Sequence, residues 1–578
     1  DTYVENINYN GKNIAVIGEN RETTIIDGNQ AGSVVTIESV ATASLENLTM
    51  QNGTGTDMIN NGQMWGGGIF IKSSGVAITN CVIKDNTAIT GGAGIYTDYS
   101  STLLMDGCVV KSNGIITQGS GAGINTHSST VTIRNTLVAD NQADQGGGLY
   151  FWGSTPTLDK VTIINNSSSD VGAGVFCYFD SDPVITNSII RNNNGPNQIY
   201  LGVGDNNDIS IGYSNISYGI DSITVIGSST VTDLGGIVDV DPMFVDTANG
   251  NYHLLASSQL INAGHPDSLD SDGSRADIGA YPYLNSYSGP TWYITEAGND
   301  TTATGASDDP FRSIQSGINF SSDADSVTVA AGTYTENVSL NKTIVLMSSE
   351  GAESTIIDAN NFGTVVTITD GSDATLDGFT LQNGYTSGSN TKSGGLIVLN
   401  NDAVIKNCII KNNQGHQGGG IYSQAGSFYN CQIIGNTAEF TGGGVEVNDI
   451  GGNSEYQLFE NCLIANNGPA LGGGIYGPCR LVNTTVVNNT GNYGIASAGT
   501  STITNSILYG NDGDEIDLFT ATVTYSLIEG GYTGTGNIDI DPMFVDSANG
   551  NYHLLASSQL INAGHPDSTD SDGTIADI

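Results

Sequence analysis

The chain has 578 residues and a formal net charge of −44, from 59 Asp plus Glu against only 15 Lys plus Arg. A nucleic-acid-binding protein needs a basic surface, so this charge excludes that class, and it disfavours binding to an anionic membrane. No apolar run approaches the roughly 18 residues of a membrane-spanning helix, and the low Lys content with 78 Gly is typical of an exported protein, so we expect an extracellular or cell-surface location.

A glycine-rich phrase recurs along the chain at a nearly constant period. Its copies lie at 66–70, 91–96, 121–125, 146–150, 172–176, 418–422, 442–445 and 472–476. In the first five copies the last glycines are 25 to 29 residues apart. A fixed period of this length indicates a solenoid, in which each repeat buries its apolar face by stacking on its neighbours.

The repeats are predicted to consist of short strands separated by polar corners. In one of them, a β run at 76–79 meets a corner at Asn80, and the next run at 82–84 alternates inward and outward side chains. Further corners fall at Asp85 and at 91–94. Three short strands joined by such corners make one turn of a β-helix, so the predicted fold class is all-β, a parallel β-helix.

Asparagine recurs at one corner of successive coils. The predicted columns are Asn80, Asn135 and Asn187, and then Asn407, Asn430, Asn461, Asn483 and Asn505. Asn tolerates a left-handed backbone at a corner, and its amide can bond to the Asn above and below. Glycine at the remaining corner supplies a positive φ without steric cost.

Most cysteines occupy the inward position directly after this corner, which is Gly107 in one coil and asparagine in the others. They are Cys81, Cys108, Cys408, Cys431 and Cys462. Metal ligation or disulfide formation is one interpretation. The chain has seven cysteines, an odd number, and those of the column lie one coil apart. Thr136 or Ser188 occupies the same place in other coils. We therefore favour buried free thiols that act as small hydrophobes.

A second, longer repeat divides the chain into two tandem copies. Residues 241–273 and 541–573 differ only at 247/547 and 269/569. The predicted domains are a β-helix unit at 1–240, its C-terminal cap or junction at 241–290, an N-terminal cap or linker at 291–324, a second β-helix unit at 325–540, and an incomplete C-terminal cap or junction at 541–578. Both copies are expected to be cut from a longer array.

The coils resemble the right-handed parallel β-helix repeat of pectate lyases and of many bacterial surface proteins. The unit ends resemble the opening and closing segments of secreted, surface-anchored bacterial β-helix proteins. The stretches that carry this resemblance are 292–294, 298–300, 310–315, 327–336, 241–244, 252–254, 261–264 and 272–281. The resemblance implies a right-handed solenoid that is exported and anchored by a sorting domain. The chain departs from it where Arg275 becomes Ile575 and in having no sorting domain.

The sharpest chemical signal is acidic. Carboxylates at alternate positions ending in glycine are how a loop wraps oxygen ligands around Ca²⁺. The predicted ligands are Asp267, Asp270, Asp272 and Asp277, repeated as Asp567, Asp570, Asp572 and Asp577. No Glu stands at the twelfth position of the loop, so the motif is partial, and the alternative is a solvated turn in which Arg275 pairs with an aspartate.

Aromatic residues follow the glycine corner in several coils. They are Phe70, Tyr96, Tyr150, Phe176, Tyr422 and Tyr476. If the rings face outward they form a ladder for sugars, and Tyr96, Tyr150, Tyr422 and Tyr476 are then candidate carbohydrate-binding residues. The alternative, which we favour, is that the rings pack on each other and stabilise the sheet.

Basic residues also align, three positions after the inward residue that follows the corner. They are Lys84, Lys111, Arg191 and Lys411. A polysaccharide lyase needs such a base beside a charge neutraliser or Ca²⁺, but one outward row of alternating charge more often forms surface ion pairs. None of the short catalytic phrases of pectate lyases or polygalacturonases is present, so no catalytic residue is assigned.

The sequence therefore predicts a non-enzymatic structural or adhesive protein of the cell exterior, a β-helix repeat unit of a surface array or fibre. Duplication of a whole unit adds length and valency, and the expected partners are further copies end to end or an extracellular glycan. The alternatives are a polysaccharide lyase or hydrolase, and a carbohydrate-binding module without catalysis. Ca²⁺ is the one cofactor that the sequence suggests.

Overall fold

The structure is a computed structural model that describes residues 1–202, 206–389, 391–399, 402–448, 457–571 and 573–578. Short strands that pair in parallel make up both of its compact units, Asp1–Asn285 (unit 1) and Ser286–Ile578 (unit 2). The prediction of an all-β, right-handed parallel β-helix is confirmed. The finer domain boundaries stay predictions. The described residues contain no helix with the length and apolar character of a membrane span.

Unit 1 winds through three faces, and each coil adds one strand to each face. Face A contains Ala15–Ile17, Ala43–Glu46, Gly75–Thr79, Thr102–Asp106, the first halves of Thr130–Ala139 and Thr155–Ile164, Val184–Thr186, Ile209–Gly212 and Val231–Asp233. Face B contains Thr2–Val4, Ile25–Asp27, Thr49–Gln51, Val82–Lys84, Val109–Lys111, the second halves of the two long strands, Ile189–Arg191 and Asn215–Ile216. Face C contains Ile7–Asn8, Val35–Glu38, Ile69–Lys72, Ile95–Asp98, Ile124–His127, Leu149–Trp152, Val175–Tyr178, Ile199–Leu201 and Thr224–Val225.

Smaller elements decorate the coils of unit 1. A four-stranded parallel sheet lies between faces B and C and contains Thr87–Ala88, Gly114–Ile115, Gln142–Gln145 and Ser167–Val171. Antiparallel pairs join Thr56–Asp57 to Met64–Trp65 and Phe244–Asp246 to Asn251–Leu254. Short 3₁₀ turns lie at Ile220–Ser222 and Thr247–Asn249.

Unit 2 repeats this plan and adds one α-helix, Ile314–Phe320. Its first face contains Thr291–Ile294, Ser326–Val329, Val345–Ser348, Thr375–Asp377, Val404–Lys406, Ser427–Tyr429, Gln457–Glu460, Cys479–Val482 and the ends of Tyr493–Thr504 and Asp514–Thr524. Its second contains Gly332–Thr335, Thr355–Asp358, Thr380–Gln382, Ile409–Lys411, Gln432–Ile434, Leu463–Ala465, Thr485–Val487, Ile507–Tyr509 and Leu527–Ile528. Its third contains Val338–Leu340, Val366–Ile368, Leu396–Val398, Ile421–Ser423, Val445–Val447, Ile475–Tyr476 and the starts of the two long strands. Gln414–Gln417 pairs with Thr437–Thr441, Phe544–Asp546 pairs with Asn551–Leu554, and Ser547–Asn549 is a 3₁₀ turn.

The core of each unit lies inside the coil, where alternate side chains from all three faces meet. In one coil of unit 1 these are Ile71, Ile78 and Ile83, all fully buried, and each contributes about 1.5–3 kcal/mol by leaving water. The seven cysteines are buried free thiols, which confirms the prediction that they act as small core residues.

The predicted asparagine corners have the left-handed backbone that was expected, for example φ 51° at Asn80 and 55° at Asn407. A second asparagine column, which the sequence analysis missed, is fully inside the coil. Its members are Asn86, Asn113, Asn141, Asn166 and Asn193, and in unit 2 Asn413, Asn436, Asn467, Asn489 and Asn511. Each amide nitrogen donates to the next amide oxygen at 2.8–3.1 Å. The sequence signal was an Asn six residues after the corner Asn.

Residues 241–285, here called the lateral segment, lie along the outer side of face B. Tyr252 packs on Val82 and Val109, and its hydroxyl accepts from the Asn165 amide at 3.0 Å. The segment thereby covers apolar side chains on the outer side of face B that would otherwise face water. Its predicted role as a cap or junction of the unit stays a prediction. The described residues of 541–578 lie in the same way in unit 2, with the Tyr552 hydroxyl accepting from the Asn488 amide at 3.1 Å.

Candidate functional site

The outer side of face C in unit 1 carries a column of aromatic rings. Phe70 stacks on Tyr96 with ring centroids 5.8 Å apart, and Tyr150 meets Phe176 edge to face at 5.1 Å. The glycine corner of each coil folds over the ring that follows it, because a Cβ at Gly146 would lie only 2.9 Å from the Tyr150 Cβ. Each copy of the glycine-rich phrase therefore consists of a tight corner followed by an aromatic residue whose ring the corner covers.

The four tyrosines predicted to bind carbohydrate are mostly inaccessible. Tyr96 and Tyr422 are each 1 % exposed and Tyr150 is buried, while Tyr476 is half-buried. The Tyr96 hydroxyl donates to Asp98 at 3.0 Å, so this ring is fixed at both ends. The burial favours the packing interpretation for these three, and sugar binding at Tyr476 stays a prediction.

Accessible rings lie beside this column and at its end: Tyr200 follows Phe176 in the column, and Trp152 and Tyr178 form a neighbouring pair. Trp152, Tyr178 and Tyr200 are half-buried, with Trp152 and Tyr178 5.0 Å apart and edge to face. Together with Tyr150, Phe176, Val171, Gln145 and Asp170 they line a cavity of about 430 Å³, here called the aromatic groove. The sequence analysis missed these three rings because they do not recur in the glycine phrase.

The groove continues into a polar stretch over the four-stranded sheet. A cavity of about 420 Å³ shares Gln145 and Asp170 with the aromatic groove, and a third of about 260 Å³ shares Asp144 and Ser169 with the second. Gln145 Nε2 donates to Asp170 Oδ2 at 2.7 Å, and Ser169 Oγ donates to Asp144 Oδ1 at 2.5 Å. Adjacent parallel strands thus hold planar amide and carboxylate groups in one line beside the rings.

A half-buried histidine lies behind this site, packed among its aromatic rings. His127 stacks on Trp152 at 5.2 Å, and burial lowers the pKa of its imidazole. The ring is therefore neutral at physiological pH and supports the orientation of Trp152. No group of three or more His, Cys, Asp or Glu side chains is arranged to hold a metal within the described part of the chain.

The predicted calcium ligands of unit 1 are largely engaged with the protein itself. Asp270 Oδ1 accepts from Lys160 Nζ at 2.6 Å, and its other oxygen accepts from the Asp277 amide at 2.8 Å. Asp277 accepts from the Asn262 and Tyr283 amides, and burial raises its pKa to about 7.

The remaining predicted ligands make local contacts or face solvent. Asp272 accepts from Ser274, and Asp267 is exposed. In unit 2 the Asp577 amide donates to Asp570 at 3.2 Å, Asp567 is exposed, and Asp572 lies outside the described residues. Calcium binding by either loop stays a prediction.

In unit 2 the corresponding column combines rings with charged side chains, since Glu446 lies between Tyr422 and Tyr476. Lys392 Nζ lies 4.5 Å from the centroid of the Tyr422 ring and 3.2 Å from Gln417 Oε1. Glu446, next to Tyr422 across the sheet, is buried, and this burial raises its pKa to about 7. His416 Nδ1 lies 3.0 Å from Glu439 Oε2 at the rim.

Two of the four aligned basic residues form local ion pairs. Lys84 Nζ lies 3.4 Å from Asp85 Oδ2, and Arg191 pairs with Asp239. This agrees with the surface-pair interpretation for these two residues. Lys111 and Lys411 have no ion pair within the described residues.

Comparisons with known proteins match the fold. Residues 5–143 and 67–235 match the family model described as a right handed beta helix region, and residues 296–353 match one described as a protein of unknown function (DUF1565). A comparison with curated proteins gave no match.

Solved structures with low identity are also similar. The pectate lyase Pel9A has 14% identity and a TM-score of 0.35, over 50% of this chain and 95% of that chain. The PL6 family alginate lyase AlyGC has 11% identity and a TM-score of 0.27, over 93% and 96%. The pectin methylesterase PemA from Erwinia chrysanthemi has 12% identity and a TM-score of 0.25, over 44% and 82%. At these TM-scores the similarities carry no argument about activity, and the family match locates a right-handed β-helix region in unit 1.

Proposed function

We propose that this chain is a non-enzymatic, extracellular structural and adhesive β-helix that binds a glycan through the aromatic groove of unit 1. The observation that carries the proposal is the line of half-exposed rings, Trp152, Tyr178 and Tyr200, which continues into Gln145 and Asp170. Rings present a flat apolar surface, and amide or carboxylate groups beside them fix the orientation of a ligand through hydrogen bonds.

Charge narrows the class of glycan. Asp144 and Asp170 lie along the groove, and the chain as a whole carries −44 charges. A polyuronate would meet repulsion over its whole length. The groove therefore suits a neutral polysaccharide, whose hydroxyls can donate to these carboxylates.

A hydrolase remains the second candidate because of one observation in unit 2. Glu446 is a buried acid whose pKa is raised to about 7 by burial, and Lys392 is close enough to lower that pKa in part. A carboxylic acid that keeps its proton near neutral pH is the kind of group that donates a proton to a leaving sugar.

The test is binding of neutral polysaccharides by affinity electrophoresis and calorimetry. We expect wild type to bind at least one of mannan, xylan, galactan and soluble β-glucan. Trp152→Ala and Tyr178→Ala should each weaken binding roughly fivefold or more, since a ring contact contributes about 1 kcal/mol. Tyr218→Ala is the matched control, because Tyr218 is 82% exposed and lies outside the groove.

Two results would contradict the proposal. Equal binding by Trp152→Ala, Tyr178→Ala and Tyr218→Ala would remove the aromatic groove as the site. Steady release of reducing ends or of unsaturated products, lost in Glu446→Gln, would establish the enzyme in place of the adhesin.

The structural half of the proposal is end-to-end association of further copies of the unit. It is supported by the near-identity of 241–273 and 541–573, since units that carry the same lateral segment present the same surface to a neighbouring copy. Sedimentation and electron microscopy of a chain with more than two copies test it. Non-associating particles at all concentrations would count against the fibre and leave glycan binding untouched.

A further inference from the structure

A basic cavity lies between face B of unit 1 and the lateral segment. It has a volume of about 300 Å³, and Arg21, Lys84 and Lys111 line it. The whole chain has only 15 Lys and Arg against 59 acidic residues, so three cations in one cavity are a marked local exception. The volume is at the lower end of the range for small-molecule sites.

The three basic side chains differ in how many hydrogen-bond and ion-pair partners they have. Arg21 donates to the Gly107 carbonyl at 3.0 Å and lies 3.3 Å from Glu22. Lys84 pairs with Asp85 at 3.4 Å, outside the cavity lining. Lys111 has no ion-pair partner within 4.0 Å among the described residues.

Two carboxylates, Glu22 and Asp140, share the lining with the three cations, and neither forms an ion pair with Lys111 within 4.0 Å. Burial raises the pKa of Asp140, although the Lys111 ammonium pulls that pKa down. The positive charge of Lys111 is thus left with room for a second anion.

Two hydroxyls from the lateral segment complete the lining. Tyr252 accepts from Asn165 at 3.0 Å, which leaves its own proton for another acceptor. Tyr281 stacks on His253 at 4.6 Å, and burial raises the pKa of its hydroxyl to about 12. Both rings therefore stay neutral and can donate to an oxyanion.

We propose that this cavity binds the oxyanion of a monosaccharide-sized ligand, a sugar carboxylate or sugar phosphate, with Lys111 as the principal cation. The site is separate from the aromatic groove, lies on another face and has the opposite charge preference, so it extends beyond the proposed function.

Unit 2 is a natural control for this site. The outward column Asp27, Gln51, Lys84 and Lys111 of unit 1 corresponds by strand register to Asp358, Gln382, Lys411 and Ile434. The place of Arg21, whose carbonyl accepts from Thr49, is taken by Ala352, whose carbonyl accepts from Thr380. Two of the three cations are absent there, so the proposal assigns the anion site to unit 1 alone.

The experiment is calorimetric titration of the whole chain with glucuronate, glucose 6-phosphate and glucose at low ionic strength. We expect the two anions to bind and glucose not to bind. Lys111→Ile, which installs the unit 2 residue, should weaken anion binding roughly tenfold or more, because a charge-assisted hydrogen bond is worth about 1.5–3 kcal/mol. Lys84→Gln should also weaken it. Lys12→Ala removes the same charge from an exposed position and should change nothing.

Absence of binding by folded wild type with both anions, or equal affinity in Lys111→Ile and Lys12→Ala, would overturn the proposal. The preferred anion distinguishes a carboxylate from a phosphate ligand. Trp152→Ala must retain anion binding, so a failed aromatic groove and a failed basic cavity give different results.

Discussion

Gly146 turns the chain directly over the ring of Tyr150. Its φ is 60°, a value that side chains rarely adopt, and a Cβ there would lie 2.8 Å from the Leu149 carbonyl oxygen. The same geometry recurs at Gly92 and Gly172 with φ near 60°. Both backbone strain and steric overlap therefore require glycine at this corner.

Gly146→Ala is expected to destabilise unit 1 by about 1–3 kcal/mol, because it adds backbone strain and forces the ring of Tyr150 to move. Gly114→Ala is the control, since a Cβ there meets nothing within 4 Å. Thermal and denaturant unfolding measure both. Equal stability of the two variants would refute the steric explanation of the glycine phrase.

The two buried asparagine ladders end differently. In unit 1 the Asn193 amide donates to Gln198 at 2.9 Å, whereas in unit 2 the Asn511 amide donates to the Glu515 carboxyl. Glu515 is buried, and burial raises its pKa to about 7. A neutral amide thus ends one ladder, and an acid that resists ionisation ends the other.

Glu515→Gln should stabilise the protein above neutral pH and have little effect near pH 4. The folded pKa of Glu515 is raised, so its protonated form is favoured in the native state, and stability is lost as pH rises from the unfolded value through about 7. Glutamine has no charge to bury, so the gain should reach about 1–3 kcal/mol at pH 8. Thermal unfolding at several pH values measures it, with Gln198→Glu as the reverse variant. A pH-independent difference would contradict the assigned cause.

At the scale of elements, one of the contacts that hold the lateral segment on unit 1 is a buried ion pair. The side chains of Lys160 and Asp270 are 11% and 1% exposed, and Lys160 also donates to the Leu269 carbonyl at 2.9 Å. Unit 2 has Asn483 at the place of Lys160, one coil before Asn505. The second lateral segment is therefore held without this pair.

Lys160→Asn is expected to cost about 3 kcal/mol, because it leaves Asp270 buried without a counter-charge. The double variant Lys160→Asn with Asp270→Asn should recover part of this loss. Hydrogen exchange of the Lys160→Asn variant, compared with wild type, should accelerate more in residues 241–285 than in the coils of unit 1. Uniform exchange across unit 1 would mean that the pair stabilises the whole coil and does not specifically hold the segment.

The coils could be read from the sequence because each turn obeys a local rule. Alternation in strands such as Val82–Lys84 and the left-handed corner at Asn80 need only neighbouring residues. The lateral segment could not be placed, since its position depends on Lys160 meeting Asp270, 110 residues away. The aromatic groove was missed for a similar reason: Trp152 and Tyr178 become a surface only when coils stack.

At the scale of the whole molecule, a net charge of −44 is spread over two units whose basic residues are few. Repulsion between like charges destabilises the compact state, and it is strongest at low salt. The buried cores and the asparagine ladders do not reduce this repulsion between surface charges. Stability should therefore depend on the concentration of cations in the medium.

Raising NaCl from about 10 mM to about 500 mM should raise the unfolding midpoint, because the Debye length falls from roughly 30 Å to a few ångströms. The predicted calcium sites at 267–277 and 567–577 would add a second effect. CaCl₂ at matched ionic strength would then raise the midpoint further through mass action, and Asp272→Asn would reduce that extra rise. Asp85→Asn is the control, since Asp85 is an acid outside both loops. Equal unfolding midpoints in the two salts, with no metal retained after dialysis, would contradict calcium binding. The carboxylates would then serve only the contacts that they make with Lys160 and the backbone.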